Sequence, residues 1–237
     1  MKLPNYLCDA WSLGEGTQAT LLNPATEEPL ALASTASLDL QAALEYARKV
    51  GGQSLRALTF RQRGLLLAQM AQALHEHRDE LLQLSIQNGG NTRQDAKFDL
   101  DGASFALMHY AKLAESLPDS TTLLEGDAVQ LGRTPRFMGR HVYRPLQGVA
   151  VQINAFNFPA WALGQKAATA LLAGMPVFAK PATSTALVAV RMLELWVTRK
   201  ILPAGAFSML AGPVGRLISL LRFQDVVAFT GSGAVGR

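Results

Sequence analysis

GVAVQINAFNFPAWALGQKAATALLAGMPVFAKPAT, residues 148–183, is the stretch on which the fold turns. Gly148 to Ile153 reads as a short apolar strand. A helix follows from about Ala160, with Pro159 at its start, where the missing N–H costs no helical hydrogen bond. Pro176 to Ala179 is wholly apolar and reads as a second buried strand. The alternation continues outward with a helix from about Ser184, a strand Ala206 to Leu210, a short helix from Val214 and a strand Asp225 to Phe229. Strands separated by helices of this length predict an α/β fold, a parallel sheet with right-handed crossovers and flanking helices. Ligands of such sheets bind beyond the carboxyl ends of the strands. That rule singles out Asn154–Phe158, Lys180–Thr183, Gly212–Gly215 and Thr230–Ser232.

Upstream the pattern changes. Residues 5 to 35 suggest short strands around the turn Asn23-Pro24-Ala25-Thr26, and residues 38 to 117 are helical. Thr59 and Gln62 form a capping box before an apolar stripe of Leu65, Leu66, Ala68, Met70, Ala73 and Leu74. Gly89-Gly90 ends the next helix, which carries Leu81, Leu84 and Ile86, and another helix runs towards Ala114. From about 120 to 147 the chain turns polar, with Val129–Leu131 and His141–Tyr143 as the arms of a long hairpin. Neither arm has enough apolar surface for burial within this chain, so a partner subunit, in a homo-oligomer, is the expected cover. The expected divisions are residues 1–117, the hairpin region 118–147 and the strand-helix segment 148–237.

Composition narrows the function. At 49% hydrophobic and 17% charged residues the chain is a folded type. Gln165 and Lys166 interrupt its longest apolar stretch, Phe156 to Ala179, so no membrane span is expected. The start MKLPNYLCDAW lacks the apolar region of a secretory signal, and a cytoplasmic location is expected. Cys8 is the only cysteine, which excludes an internal disulfide or a thiolate zinc cluster. His75 and His77 point about 200° apart around a helix, so no metal site is expected. The net charge of +4 is scattered singly, without interleaved aromatics, which argues against nucleic acid.

At the strand ends, each residue has a plain reading beside a functional one. Gly231-Ser232-Gly233-Ala234-Val235-Gly236 satisfies G-x-G-x-x-G literally but does not open a βαβ unit. What survives is a glycine turn whose amides can approach a phosphate, with the Ser232 hydroxyl as a donor, or else a plain tight turn. Lys180 ends an apolar strand, either as a solvated cap or as a partner for phosphate or ribose hydroxyls. The Asn157 amide could cap the following helix or donate to a developing oxyanion.

Asn157-Phe-Pro, Lys180-Pro-Ala and Phe229-Thr-Gly-Ser, in this order and spacing, resemble the aldehyde dehydrogenase superfamily over essentially the whole chain. Within it, Ile153-Asn-Ala-Phe-Asn-Phe-Pro, Lys180-Pro-Ala-Thr and Asp225-Val-Val-Ala-Phe-Thr-Gly-Ser resemble the CoA-thioester semialdehyde dehydrogenases of aerobic phenylacetate and benzoate breakdown. Leu55-Arg-Ala-Leu-Thr and the Asp99–Gly102 stretch fit that subgroup.

The resemblance implies a Rossmann-like dinucleotide-binding sheet and an oligomerisation role for the hairpin. It also implies oxidation of an aldehyde through a thiohemiacetal on a cysteine, with Asn157 matching the amide that steadies the oxyanion. By the same resemblance Ile153, Ala155 and Phe156 lie along the nicotinamide, and Lys180 and Thr183 at the adenosine ribose. Phe229, Gly231 and Ser232 lie at the pyrophosphate, with Val235 nearby, and Gly212 and Gly215 also match cofactor positions. NAD or NADP is the implied cofactor. Thr183 stands where many NAD-preferring members have a glutamate, and NADP is therefore the expected preference. The family's cysteine and its water-activating glutamate are expected beyond residue 237, which makes this chain the first half of an enzyme and inactive alone. The competing expectation is a non-catalytic module that binds a nucleotide or assembles through the hairpin.

Overall fold

Alternating strands and helices in the second half build the predicted parallel sheet, and the first half packs around it. The computed structural model describes residues 1–236. In chain order the elements are β1 (Lys2–Leu3), β2 (Asn5–Leu7), β3 (Ala10–Ser12), β4 (Ala19–Leu22), β5 (Pro29–Ala33), α1 (Leu40–Tyr46), α2 (Gly52–Arg56), α3 (Phe60–Glu76), α4 (Arg78–Gly89) and α5 (Arg93–Ser116). They continue with β6 (Leu123–Gln130), β7 (Met138–Tyr143), β8 (Ala150–Ile153), α6 (Pro159–Leu172), β9 (Val177–Lys180), α7 (Ala186–Thr198), β10 (Phe207–Met209) and β11 (Val226–Phe229).

The main sheet has the order β11-β8-β9-β10-β2-β3. Its first four strands are mutually parallel, while β2 and β3 extend it antiparallel. Both faces are covered over β8, β9 and β10, as a parallel sheet requires, whereas the edge strand β11 is exposed. Ala150, Val177, Ala179, Phe207 and Met209 join the larger core with residues of α3, α5, α6 and α7. Val149, Val151, Phe178 and Leu210 join the smaller core with Leu40, Ala43 and Leu44 of α1. A separate sheet, β1-β5-β4, comes from the expected strands around the Asn23 turn.

Local signals worked where their chemistry is self-contained. The Thr59–Gln62 capping box is present in both directions. Gly90 ends α4 in the left-handed conformation at φ 67°, which suits a residue without Cβ. The apolar stripe of α3 is rotated from its expected position, because Leu65 is 59% exposed while Gly64 and Leu67 face inward. Gly64 is selected there by proximity, since a Cβ would stand 2.5 Å from that of Ala114 on α5. The helix expected from Val214 is only the 3-10 turn Ile218–Leu220, broken from its start by Gly215 at φ 54°.

Strands β6 and β7 form a hairpin, paired from Leu123↔Tyr143 to Gln130↔Met138 with one irregularity between Glu125 and Val129; the two expected arms do not face each other, because His141–Tyr143 pair with Leu123–Glu125 and Val129 pairs with Gly139. Leu124, Val129, Phe137, Val142 and Tyr143 are exposed along it. No helix among the described residues is long and apolar enough to cross a membrane.

Candidate functional site

Register brings three of the four strand ends into one row. Phe229 pairs with Ile153, and Ile153 pairs with Lys180, across β11, β8 and β9. The chain leaves these strands still hydrogen-bonded, Asn154 N–H to Lys180 O at 3.0 Å and Thr230 N–H to Ile153 O at 2.9 Å. Leu210 N–H likewise donates to Ala179 O at 2.9 Å, so the Ala211–Gly215 loop leaves the same edge. The predicted positions 153–158, 180–183, 212–215 and 229–232 therefore share the carboxyl edge of the sheet. Ile153 and Ala155 are half-buried, whereas Phe156 is exposed.

Asn157 does not cap α6. The cap position is Phe158, in the left-handed conformation at φ 52°, and no local side chain bonds to the first turn. The first-turn amides are taken instead by Asp99 from α5, whose Oδ2 accepts from Ala160 N–H at 3.1 Å and Oδ1 from Trp161 N–H at 2.8 Å. A carboxylate there is favoured by the positive end of the helix dipole. Burial nonetheless pushes the Asp99 carboxyl up to about 6, against the two backbone donors. The Asn157 amide is left exposed, with no hydrogen-bond partner among the described residues.

The loop is gripped on either side of that amide. Thr185 Oγ1 donates to Phe156 O at 2.9 Å. Phe98, Phe158 and Trp161 meet edge to face, with centroids 5.1 to 6.1 Å apart. Trp161 reaches this position because residue 102 is glycine, where a Cβ would lie 2.4 Å from the indole.

Two lysines stand at the same edge. Lys180 is buried, and its Nζ donates to Pro181 O at 2.7 Å and to Thr183 Oγ1 at 3.4 Å. Burial lowers its ammonium to about 8. Lys166, on α6, donates to Asn154 Oδ1 at 2.8 Å, Ala228 O at 2.9 Å and Ile153 O at 3.2 Å, and burial lowers it to about 8 as well. Neither forms an ion pair among the described residues, so both charges answer only to dipoles.

Beyond β11, Ser232 accepts from Val235 N–H and Gly236 N–H through its carbonyl, each at 3.1 Å, starting a helical turn. A Cβ at Gly233 would meet nothing within 4 Å, which leaves that backbone open to a ligand. The Phe229 ring lies over Gly231 and Gly236. Val235 is 75% exposed. Gly212 is buried against Ser34 and Thr35, while Gly215 lines a cavity of about 340 Å³ with Asp39, Gln41 and Arg216. Cys8 lies at the opposite edge, in the turn after β2, next to Asp9, whose carboxylate binds Gly205 N–H ahead of β10. Burial and Asp9 raise its thiol, the wrong direction for a nucleophile. No cluster of potential metal ligands occurs among the described residues.

The model of the aldehyde dehydrogenase family matches residues 11–237. The chain belongs to that family. It is 48% identical over 232 residues to a 3,4-dehydroadipyl-CoA semialdehyde dehydrogenase of Aromatoleum evansii, covering 98% of this chain and 45% of that protein. It is 30% identical to a betaine aldehyde dehydrogenase of Vibrio vulnificus, covering 94% and 44%. Among solved structures it is similar to an NAD-dependent benzaldehyde dehydrogenase from Corynebacterium glutamicum, with a TM-score of 0.84, 26% identity and coverage of 99% and 50%. This aldehyde dehydrogenase chain thus spans about half the length of the curated relatives it matches.

Sequence reading located the strand ends but missed what fixes them. Asp99, Thr185 and Asn88, the last holding Ser184 O and Leu187 N–H at the start of α7, act on segments far away in sequence, and no local pattern announces them. Lys166 does leave a signal, as a lone charge inside an apolar helix, but that signal alone points no further than to the absence of a membrane span.

Proposed function

We propose that this chain is the cofactor-binding half of an NAD(P)-dependent aldehyde dehydrogenase whose substrate is a CoA-linked semialdehyde. The observation that carries the reading is the placement of an uncommitted Asn157 amide and the buried Lys180 ammonium on one sheet edge, in the loop after β8 and at the end of β9. Four features fit a pyridine nucleotide: the row Phe229–Ile153–Lys180, an ammonium without a carboxylate, the Thr183 hydroxyl and the open backbone at Gly233. Lys180 and Thr183 would hold the adenosine ribose, and Gly231 and Ser232 the pyrophosphate. Ile153, Ala155 and Phe156 would border the nicotinamide, with Gly212, Gly215 and Val235 at the periphery of the site. When bound, the nucleotide accepts the hydride.

Asn157 would donate its amide N–H to the oxygen of the substrate carbonyl as negative charge develops there, which favours the transition state over the bound aldehyde. The attacking thiolate and the water-activating carboxylate are assigned to residues beyond position 237. The CoA-linked substrate rests on the likeness to the Aromatoleum evansii enzyme and on the shared motifs at 153–159, 180–183 and 225–232. Thr183 supports NADP over NAD, because a hydroxyl there places no negative charge against a 2'-phosphate. Residues 1–117 and 148–237 would form the cofactor domain, and 118–147 the arm through which a homo-oligomer assembles in the cytoplasm.

The test is steady-state oxidation of a CoA-linked semialdehyde by the intact enzyme with each nucleotide. A higher kcat/KM with NADP supports the reading, and Thr183→Glu then shifts preference towards NAD. Several-fold higher kcat/KM with NAD in the unsubstituted enzyme contradicts the cofactor assignment, and no oxidation of any aldehyde contradicts the function.

A further inference from the structure

Asparagine is among the best helix-capping residues, and Asn157 stands immediately before the cap position of α6. Left to local chemistry, its side chain would fold back onto the free amides of the first turn. Those amides are already occupied by a carboxylate that arrives from another helix, the fully buried Asp99. No cationic side chain pairs with Asp99 among the described residues, so its two bonds at the helix start are its compensation for burial.

The next crossover helix is built in the same way. Asn88, on α4, accepts from Leu187 N–H at 3.2 Å and donates to Ser184 O at 2.7 Å, fixing the start of α7. The helical layer α4–α5 therefore caps both helices that leave the carboxyl edge, and the Asn157 side chain stays free of the α6 cap. Around Asn157 the neighbours are pinned while the amide is not: Phe156 by Thr185, Phe158 and Trp161 by the aromatic contacts with Phe98.

We propose that Asp99 is a positioning residue for the Asn157 amide, capping α6 from α5 so that the amide is presented to the substrate oxygen rather than consumed by the helix. This inference rests on the reading of Asn157 as an oxyanion donor. Misplacement of a reacting group by about 1 Å can cost on the order of 10²-fold in rate.

The experiment is a double-mutant cycle in the intact enzyme, joining Asp99→Asn with Asn157→Ala, alongside hydrogen exchange of segment 155–162. Asp99→Asn keeps the side chain's shape but places an amide where a second acceptor is needed. Expected are a fall in kcat of about tenfold or more at unchanged KM for NADP, partial recovery with Asp99→Glu, and less than about twofold further loss in the Asn157→Ala background. Exchange over 155–158 should rise with Asp99→Asn. An equal loss in both backgrounds overturns the positioning role and leaves the proposed activity intact. Unchanged exchange over 155–158 overturns it whatever the activity. Absence of aldehyde oxidation by the unsubstituted enzyme is a failure of the functional reading instead, and exchange still decides whether Asp99 governs the loop.

Discussion

Trp161 donates its backbone N–H to Asp99 Oδ1 at 2.8 Å although 62 residues separate the two in sequence. That bond joins α5 to α6 at the point where the chain leaves the Asn157 loop. It makes the geometry of the site depend on a helix that lies outside the strand–helix alternation of residues 148–229.

The seam between these helices is closely packed at Gly102, whose missing Cβ leaves room for the Trp161 indole. Gly102→Ala should displace the ring and destabilise the fold by about 1–3 kcal/mol, as overpacking does elsewhere. Thermal or denaturant unfolding of the variant measures the change. An unchanged midpoint would mean that the indole moves aside without cost.

Asn157→Ala in the intact enzyme should lower kcat by about 10²–10³-fold, the usual scale for one oxyanion donor. The KM for NADP should stay unchanged, since the proposed partner of the amide is the substrate oxygen and not the nucleotide. Because Asn157 is exposed and caps nothing, folding should be unaffected, and circular dichroism with a melting curve checks that. A large loss of stability would instead mark the side chain as structural.

Lys180 sets a pH dependence. Burial lowers it to about 8, below the ordinary lysine value of 10.5. Between these values the unfolded chain binds a proton that the folded chain has released, so stability should rise with pH across about 8 to 10.5 and be lost as pH falls through 8. Affinity for NADP should move the other way, falling above pH 8 as the ammonium discharges. Calorimetric titration from pH 6.5 to 9.5 reads this slope, and Lys180→Met should flatten it. A slope that survives in Lys180→Met would contradict the role of Lys180 in it, and Lys166→Met then tests the other ammonium that burial lowers to about 8.

The exposed apolar face of the hairpin predicts assembly. Val129→Asp combined with Val142→Asp should reduce the mass measured by light scattering without unfolding the monomer, because both side chains are exposed in the single chain. An unchanged mass would remove the hairpin from the interface.

Much of the fold was legible because its signals are local. The strands of residues 148–229 announce themselves by apolar runs, α3 by its capping box and α4 by Gly89-Gly90. The strand-end rule then picked out segments that share one edge of the sheet without any knowledge of strand order. The partners that fix the site lay outside local reading, because Asp99, Asn88 and Thr185 bond across 29 to 99 residues of sequence. Leu65 erred for a related reason: several leucines in a row satisfy more than one helical face, and the close approach at Gly64 decides between them.

The central claim is that four parallel strand ends converge on a pyridine nucleotide with Asn157 beside its reactive carbon. A crystal structure with NADP bound tests it most directly. Expected are the phosphates over residues 230–233, the adenosine ribose at Lys180 and Thr183, and the nicotinamide against Ile153–Phe156 with the Asn157 amide alongside. A dinucleotide bound at the amino edge, near Cys8 and Gly205, or a nicotinamide far from Asn157, would contradict it.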